Sequence, residues 1–257
     1  MKKNSKFYAI RSVYKWEKRS PIPHQHDCIQ ILHISSGCGR VETADGIWIV
    51  PPNRGVLIPP HKLHSASSSK AFEVNNLYFP QEYASLFVSK TCFVFNVTPL
   101  LKELFDHVVR LPSVDFDSDY GETLFLTILH LVKRQNHQKV EFFIPSPKDA
   151  RLKKLAKMIL SDLSLRSQLS QICMKAGISP RTAQRLFLKE TKMTLTQWTN
   201  HHRIFSSMEK LLLGKSVTEV SFEVGFESSA SFSHCFKKFV GVSPKKFLEG
   251  SRGELPS

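Results

Sequence analysis

Between Cys28 and Phe79 the apolar residues come in short runs that alternate with polar ones and are broken by turn formers. Val41 to Val50 contains Asp45-Gly46, a strong hairpin signal, and Phe72, Val74 and Tyr78 share one face at period two. This segment is expected to form a compact antiparallel β unit. After Pro80 the spacing turns helical, with Leu100, Leu101, Leu104, Phe105 and Val108 on one stripe and Leu124, Ile128 and Leu131 on another. Such stripes need covering, by the β unit or, for one of them, by a second copy of the chain as a dimer face. Beyond Ser146 every apolar pattern is helical, including the stretch Leu152, Leu155, Ile159 and Leu160. Ser146-Pro147 and Ser243-Pro244 each read as an N-cap followed by the first helical residue, and Ser216 with Glu219 three residues on reads as a capping box.

The helical half repeats itself. LSQICMKAGISPRTAQRLFLKETKMT from Leu169 superposes on VTEVSFEVGFESSASFSHCFKKFVGVS from Val217. Ile172 matches Val220, Ala176 matches Val224 and Gly177 matches Gly225 at an offset of 48; after one inserted residue, Phe187 matches Phe236 and Lys189 matches Lys238 at 49. Each copy reads as a short helix, a glycine at a sharp turn, an apolar plug (Ile178, Phe226) and a second helix, the helix-turn-helix plan. In the first copy Ala183, Leu186 and Phe187 should form core and leave Arg181, Thr182, Gln184, Arg185 and Lys189 outside. In the second, Phe232, Phe236 and Phe239 should be core, with Ser228, Ser229, Ser231, His234, Lys237 and Lys238 outside. One amphipathic helix from about Thr194 to Leu213 joins the copies.

Charge sharpens this picture. The 257 residues carry a formal charge of +14. Residues 1–145 hold 17 Lys+Arg and 13 Asp+Glu, which is +4, and residues 146–257 hold 19 and 9, which is +10. A net charge alone permits nucleic acid, acidic lipid or acidic protein; its concentration over two helix-turn-helix units points to double-stranded DNA. Hydrophobic residues at 41% and charged residues at 23% exclude wholesale disorder, and no apolar run is long enough to span a bilayer. The polar, lysine-led start is unlike a signal peptide, and Cys28, Cys38, Cys92, Cys173 and Cys235 lie too scattered for a disulfide framework. The expectation is a cytosolic, nucleoid-associated protein with reduced thiols and no membrane partner.

GISPRTAQRLFLKE, and still more GFESSASFSHCFKKFVGVSPKKF, resemble the DNA-binding domain of AraC/XylS-type transcription regulators. The resemblance implies a seven-helix domain whose two second helices enter successive major-groove segments. Its base-reading positions fall on Arg181, Gln184 and Arg185 in the first unit and on Ser229, Ala230, Ser231 and His234 in the second; Thr182, on the same outward face of the first unit, is added to the base-reading set. Lys189, Ser228, Lys237 and Lys238 are the phosphate contacts. Arg and Gln pair bidentately with guanine and adenine, whereas serine discriminates little, so the first unit should supply most specificity and the second mainly grip phosphate. The family usually has Gly where this chain has Lys192, which predicts a less regular turn there.

Five of the eleven histidines fall between His24 and His64. PHQHDCIQILHISSG and WIVPPNRGVLIPPHKLHS resemble the cupin β-barrel that many such regulators carry as a sensor. In metal-binding cupins two N-terminal histidines, a glutamate and a later histidine hold a divalent ion; the matching positions here are His24, His26, Gln30 and His64. Gln30 brings no charge to offset an ion and His61 replaces the usual glycine, so these four residues are assigned to a ligand pocket without metal or other cofactor.

The expected architecture is α+β in two domains: a cupin-like antiparallel barrel over residues 1–80 completed by a helical segment over 81–145, then an all-α DNA-binding domain over 146–257 with units at about 169–190 and 217–240. The function read from this is a sequence-specific transcription regulator controlled by an unidentified small molecule, contacting RNA polymerase where it activates. The alternatives are a metal-dependent cupin oxygenase or isomerase with a basic tail, and a nonspecific DNA-compacting protein.

Overall fold

The computed structural model of the protein describes residues 7–14, 22–68, 72–87, 90–135, 142–163 and 169–251. The chain forms two compact units, Met1–Ala44 with Trp48–Phe142, and Asp45–Ile47 with Phe143–Ser257. The strands are β1 (Tyr8–Tyr14), β2 (Ile29–Ser36), β3 (Gly39–Thr43), β4 (Gly46–Val50), β5 (Arg54–Ile58), β6 (His64–Ser67), β7 (Phe72–Phe79), β8 (Phe93–Asn96) and β9 (Phe143–Pro145). Two helices, α1 (Pro99–Val108) and α2 (Asp119–Gln135), follow β8. The second unit contains α3 (Ala150–Ser161), α4 (Leu169–Ala176), α5 (Pro180–Thr191), α6 (Leu195–Leu212), α7 (Val217–Glu223), α8 (Ser229–Val240) and α9 (Pro244–Ser251).

The strands make a five-stranded sheet in the order β1-β7-β2-β5-β8 and a four-stranded sheet in the order β6-β3-β4-β9. The expected barrel is therefore present as two sheets, with no ladder closing one onto the other among the described residues. The hairpin sits one residue earlier than Asp45-Gly46 suggests, with Ala44 and Asp45 forming the turn and Gly46 opening β4. Three strands departed from the sequence reading, one of them β9, in the stretch expected to be helical. β1 pairs along its length with β7, from Tyr8 opposite Tyr78 to Tyr14 opposite Phe72, and β8 lies after Pro80, in a stretch expected to be helical. The Phe72 side chain lies outside the described residues.

Neighbouring residues of a strand face opposite sides, and β2 divides its side chains accordingly. Ile29 and Ile31 join Leu57, Leu77, Phe79 and Phe95 in a cluster that α1 and α2 cover with Phe105, Val108, Phe125, Ile128, Leu129 and Val132. The α1 stripe holds except for Leu100, which is exposed at the first turn; on α2 the deepest residues are Phe125, Ile128, Leu129 and Val132, so the predicted stripe of Leu124 and Leu131 marks its edges. α1 begins where Thr98 accepts the Leu101 amide and Pro99 fills a position that needs no donor. α3 begins later than expected. Asp149, not Ser146, is the cap, accepting the amides of Arg151 and Leu152, while the Ser146 amide donates to Asp45 O and is held in extended chain. On α3 Leu160 is exposed and Ala156 is buried in its stead. At α7 Ser216 accepts the Glu219 amide, but the Glu219 carboxylate pairs with Lys215, so only half of the expected box forms. The complete box is Thr194 with Gln197 at the start of α6. All five cysteines are free thiols.

A polar cluster ties α1 to the sheet. Arg11 of β1 donates to Asn75 Oδ1 and pairs with Asp106 of α1, and Asn75 Nδ2 lies 3.4 Å from Asp106 Oδ1 and 3.5 Å from His33 Nδ1. His33 is 1% exposed and stacks on Phe105 at 4.9 Å. Burial lowers its pKa to about 4, only partly opposed by Asp106. An unfolded histidine titrates near 6.5, so between these values the unfolded chain binds more protons and stability falls as pH drops. His33 should therefore cost about 2 kcal/mol of stability between pH 7.5 and pH 5. Urea unfolding of wild type and His33→Gln at the two pH values measures this; an equally steep acid loss in the variant contradicts it.

Candidate nucleic-acid interface and sensor cluster

The two repeats fold alike. Gly177 and Gly225 take φ of 74° and 92°, left-handed values that cost glycine little. Immediately after them the Ile178 amide donates to Cys173 O at 3.0 Å and the Phe226 amide to Ser221 O at 2.9 Å. Both plugs are buried, at 5% and 6% exposure. Ser179 and Ser228 then cap α5 and α8 by accepting the amides of Thr182 and Ser231.

Both second helices lean on α6 through aromatic rings. Phe187 of α5 meets Trp198 edge-on at 5.3 Å, and Trp198 donates from its indole nitrogen to Pro145 O. Phe239 of α8 lies 4.2 Å from the His201 ring. Burial, and to a lesser degree Lys238, lowers the pKa of His201 to about 4, so the ring packs as a neutral aromatic. Ala183, Phe187, Phe232 and Phe236 are buried as expected, while Leu186 and Phe239 are half-buried.

What remains outside is basic. Arg181, Gln184, Arg185 and Lys189 of α5 are exposed, as are Ser231, His234, Lys237 and Lys238 of α8; Thr182, Ser229 and Phe239 are half-buried. Three acids of this unit are turned to structural use. Glu190 accepts the amides of Lys148 and Asp149, Asp149 pairs with Arg151, and Glu223 pairs with Lys210 and Lys215. The recognition faces thus keep their positive charge uncompensated by these carboxylates.

The hydroxyls tell the predicted residues apart. Ser231 donates to Ser228 O at 2.9 Å, and the Ser179 hydroxyl donates to Thr182 Oγ1. Their polar ends are engaged at the caps. The Arg181, Gln184 and Arg185 side chains have no hydrogen bond among the described residues and reach outward.

Sequence reasoning expected an irregular turn at Lys192, and the structure corrects this. Lys192 takes φ 59° and its amide closes onto Leu188 O at 3.0 Å, just as Gly241 closes α8 onto Lys237 O at 2.9 Å. The regular turn is kept at the expense of a strained backbone at Lys192. Replacing Lys192→Gly should raise stability by about 1 kcal/mol, read as a higher midpoint in thermal unfolding; a lower midpoint contradicts this.

In the first unit the sensor histidines do come together. His24, at an isolated bridge to His64, has its ring 4.4 Å from the His64 ring, and the His26 and His64 rings are 5.1 Å apart. His26 Nε2 and His64 Nε2 lie 3.0 and 3.1 Å from one end of the Gln30 amide, whose other end is 2.8 Å from the Asn76 amide. Gln30 is 4% exposed and belongs to β2, whereas His64 belongs to β6, so this network joins the two sheets.

The chemistry of the network follows from its outer contacts. His26 Nδ1 and His64 Nδ1 sit 2.9 and 2.8 Å from the carbonyls of Cys28 and Lys62. A carbonyl only accepts, so both Nδ1 atoms carry the proton. Burial lowers the His64 pKa to about 4, which leaves its Nε2 a bare lone pair. An amide oxygen facing the two Nε2 atoms would require two imidazolium rings side by side; the amide NH2 can donate to both at once. Gln30 therefore turns its NH2 toward the histidines and its oxygen toward Asn76. The imidazoles are oriented as metal ligands often are, but an amide nitrogen fills the centre, and among the described residues no group of three or more His, Cys, Asp or Glu side chains is placed to hold a metal ion. Asn76 and Tyr78, whose ring meets His26 at 5.6 Å, were missed by the sequence reading; the alternation of β7 was the available signal.

Comparison with known proteins bears on both units. Residues 172–250 match a family described as helix-turn-helix domain, and residues 5–111 match one described as AraC-like ligand binding domain. The regulator NimR of Escherichia coli K12 is 23% identical over 232 residues, covering 90% of this chain and 83% of that protein. The transcriptional activator RhaR of Mannheimia succiniciproducens is 23% identical, covering 95% and 94%, and the arabinose operon regulatory protein of Escherichia coli K12 is 23% identical, covering 83% and 78%. These relatives are transcription regulators and lend no support to the cupin-enzyme alternative. The duplicated corner, its uncompensated basic faces and these matches agree: the chain belongs to the AraC family of transcription regulators, with an AraC-like ligand-binding domain ahead of a helix-turn-helix DNA-binding domain.

Proposed function

We propose that base recognition is divided unequally between the two units, with Arg181, Gln184 and Arg185 of α5 reading sequence and α8 mainly holding the phosphate backbone. The observation that carries this reading is the difference in free polar ends. On α5 three long side chains reach outward without a hydrogen bond among the described residues, whereas on α8 the Ser231 hydroxyl is bonded back to Ser228. Thr182, Ser229 and His234 contribute weaker base contacts, and Lys189, Ser228, Lys237 and Lys238 bind phosphate.

The protein acts as a cytoplasmic, noncatalytic regulator. Among the described residues no helix is long and apolar enough to cross a membrane. A groove of about 410 Å³ along the outer side of α2, lined by Leu126, His130, Leu131 and Arg134, supports self-association. Where the bound site adjoins a promoter, RNA polymerase is the further partner. The amide-centred histidine cluster supports a sensor that works without metal. Elemental analysis of the purified protein should find far less than one equivalent of transition metal per chain; a stoichiometric amount lost in His26→Ala contradicts this.

The DNA reading is tested with Arg185→Ala and His234→Ala on an operator and a scrambled duplex at fixed salt. Arg185→Ala should lose about 1–3 kcal/mol of discrimination and His234→Ala much less. Lys237→Ala should weaken both duplexes alike and flatten the salt dependence. Equal losses of discrimination in the first two variants contradict the division of labour.

A further inference from the structure

The ligand-binding unit has a second recess, separate from the histidine cluster. It lies beside the 3-10 turn Gln81–Leu86 and has a volume of about 360 Å³, within the range of small-molecule sites. Ile29, Leu57, Ala84 and Phe87 give it an apolar floor; Lys90, His61, Gln81 and Ser85 stand around it as polar groups. Ile29 and Gln30 are adjacent on β2 and so face opposite sides of the sheet. The recess is therefore on the outer face, and the histidine network is on the other.

We propose that this recess binds a small carboxylate with an apolar body and is the effector site of the regulator. This rests on the ligand-controlled reading of the family and names the place and the ligand class. Among the described residues its lining contains no aspartate or glutamate, and the permanently charged side chain there is the Lys90 ammonium. Gln81 and Ser85, both exposed at the rim, add an amide and a hydroxyl able to donate. An anionic head is matched there and a cationic one repelled, while the half-buried Pro60 and Ala84, backed by Ile29, Leu57 and Phe87, offer surface to a hydrocarbon or aryl body.

The recess is mechanically joined to the histidine cluster. His61, on its rim, is held with φ 59° and donates its amide to His26 O at 2.8 Å. Ile29 is the chain neighbour of Gln30. A ligand that fills the recess bears on both segments that hold the Gln30 network, and so distinguishes two arrangements of the unit, which control by a ligand requires.

Decanoate, decanol and decyltrimethylammonium serve as probes in calorimetric titrations of the full-length protein. Decanoate should bind at one per chain and more tightly than the other two. Lys90→Glu should weaken decanoate by roughly tenfold, since an exposed favourable pair becomes a repulsive one, and Ala84→Trp should abolish binding by filling the recess. Wild-type far-ultraviolet circular dichroism and thermal midpoints in both variants show that they fold. Absence of decanoate binding, equal binding of decanol, or loss of binding in Gln30→Leu with none in Lys90→Glu overturns the proposal. Operator binding by the unliganded protein is scored separately, so a failed pocket leaves the regulator reading standing, and a failure to prefer the operator sinks that reading whatever decanoate does.

Discussion

The DNA-binding unit depends on two ring contacts made by α6. Trp198 and His201 lie three residues apart on this helix, and each receives a phenylalanine from one recognition helix, Phe187 and Phe239. Aromatic pairs of this kind add directional packing to buried area, so the same element fixes the rotation of α5 and of α8 about their axes. That rotation decides which residues reach outward. The Gly177 and Gly225 corners deliver each second helix to α6 at the required angle, and Ile178 and Phe226 seal the corners behind them. The acids Asp149, Glu190 and Glu223 are occupied within the unit and do not pair with the outward Arg181, Arg185, Lys237 or Lys238.

The ligand-binding unit is organised around a different device. A single amide, Gln30, stands where the family resemblance would place a charged metal ligand, and its two N–H groups satisfy two imidazoles that an ion would otherwise draw together. An amide can be turned or displaced at lower cost than an ion can be removed. A network of neutral hydrogen bonds between the two sheets is thus a joint that a modest amount of ligand binding energy is able to alter.

Much of this was legible in the sequence because the helix-turn-helix corner leaves few choices of residue. A left-handed turn favours glycine, the plug must be apolar, and the repeat at offsets of 48 and 49 shows both constraints twice. The buried rings Phe187, Phe232 and Phe236 followed from the same register. The signals that failed were those with competing solutions. Ser146-Pro147 has the form of a helix start, yet the Ser146 amide is taken by Asp45 and the cap passes to Asp149. Lys192 lacks the flexibility of glycine, yet one strained residue costs only about 1–2 kcal/mol, and the closing hydrogen bond to Leu188 holds it in place. β1, YAIRSVY, lacks a clean apolar-polar alternation and β8 has only four residues, so period two does not separate either from loop or helix. The histidines and Gln30 were found as a cluster, but the direction of the amide follows from the carbonyls of Cys28 and Lys62, which only the fold brings to the rings.

The central claim is that one duplicated motif reads DNA unequally. Selection of bound sequences from random duplex DNA by the full-length protein tests it most directly. The account predicts two recognised segments about one helical turn apart, with strong base preferences in one and weak preferences in the other, and loss of the strong segment alone in Arg185→Ala. Two segments of equal information, or no sequence preference, would contradict it.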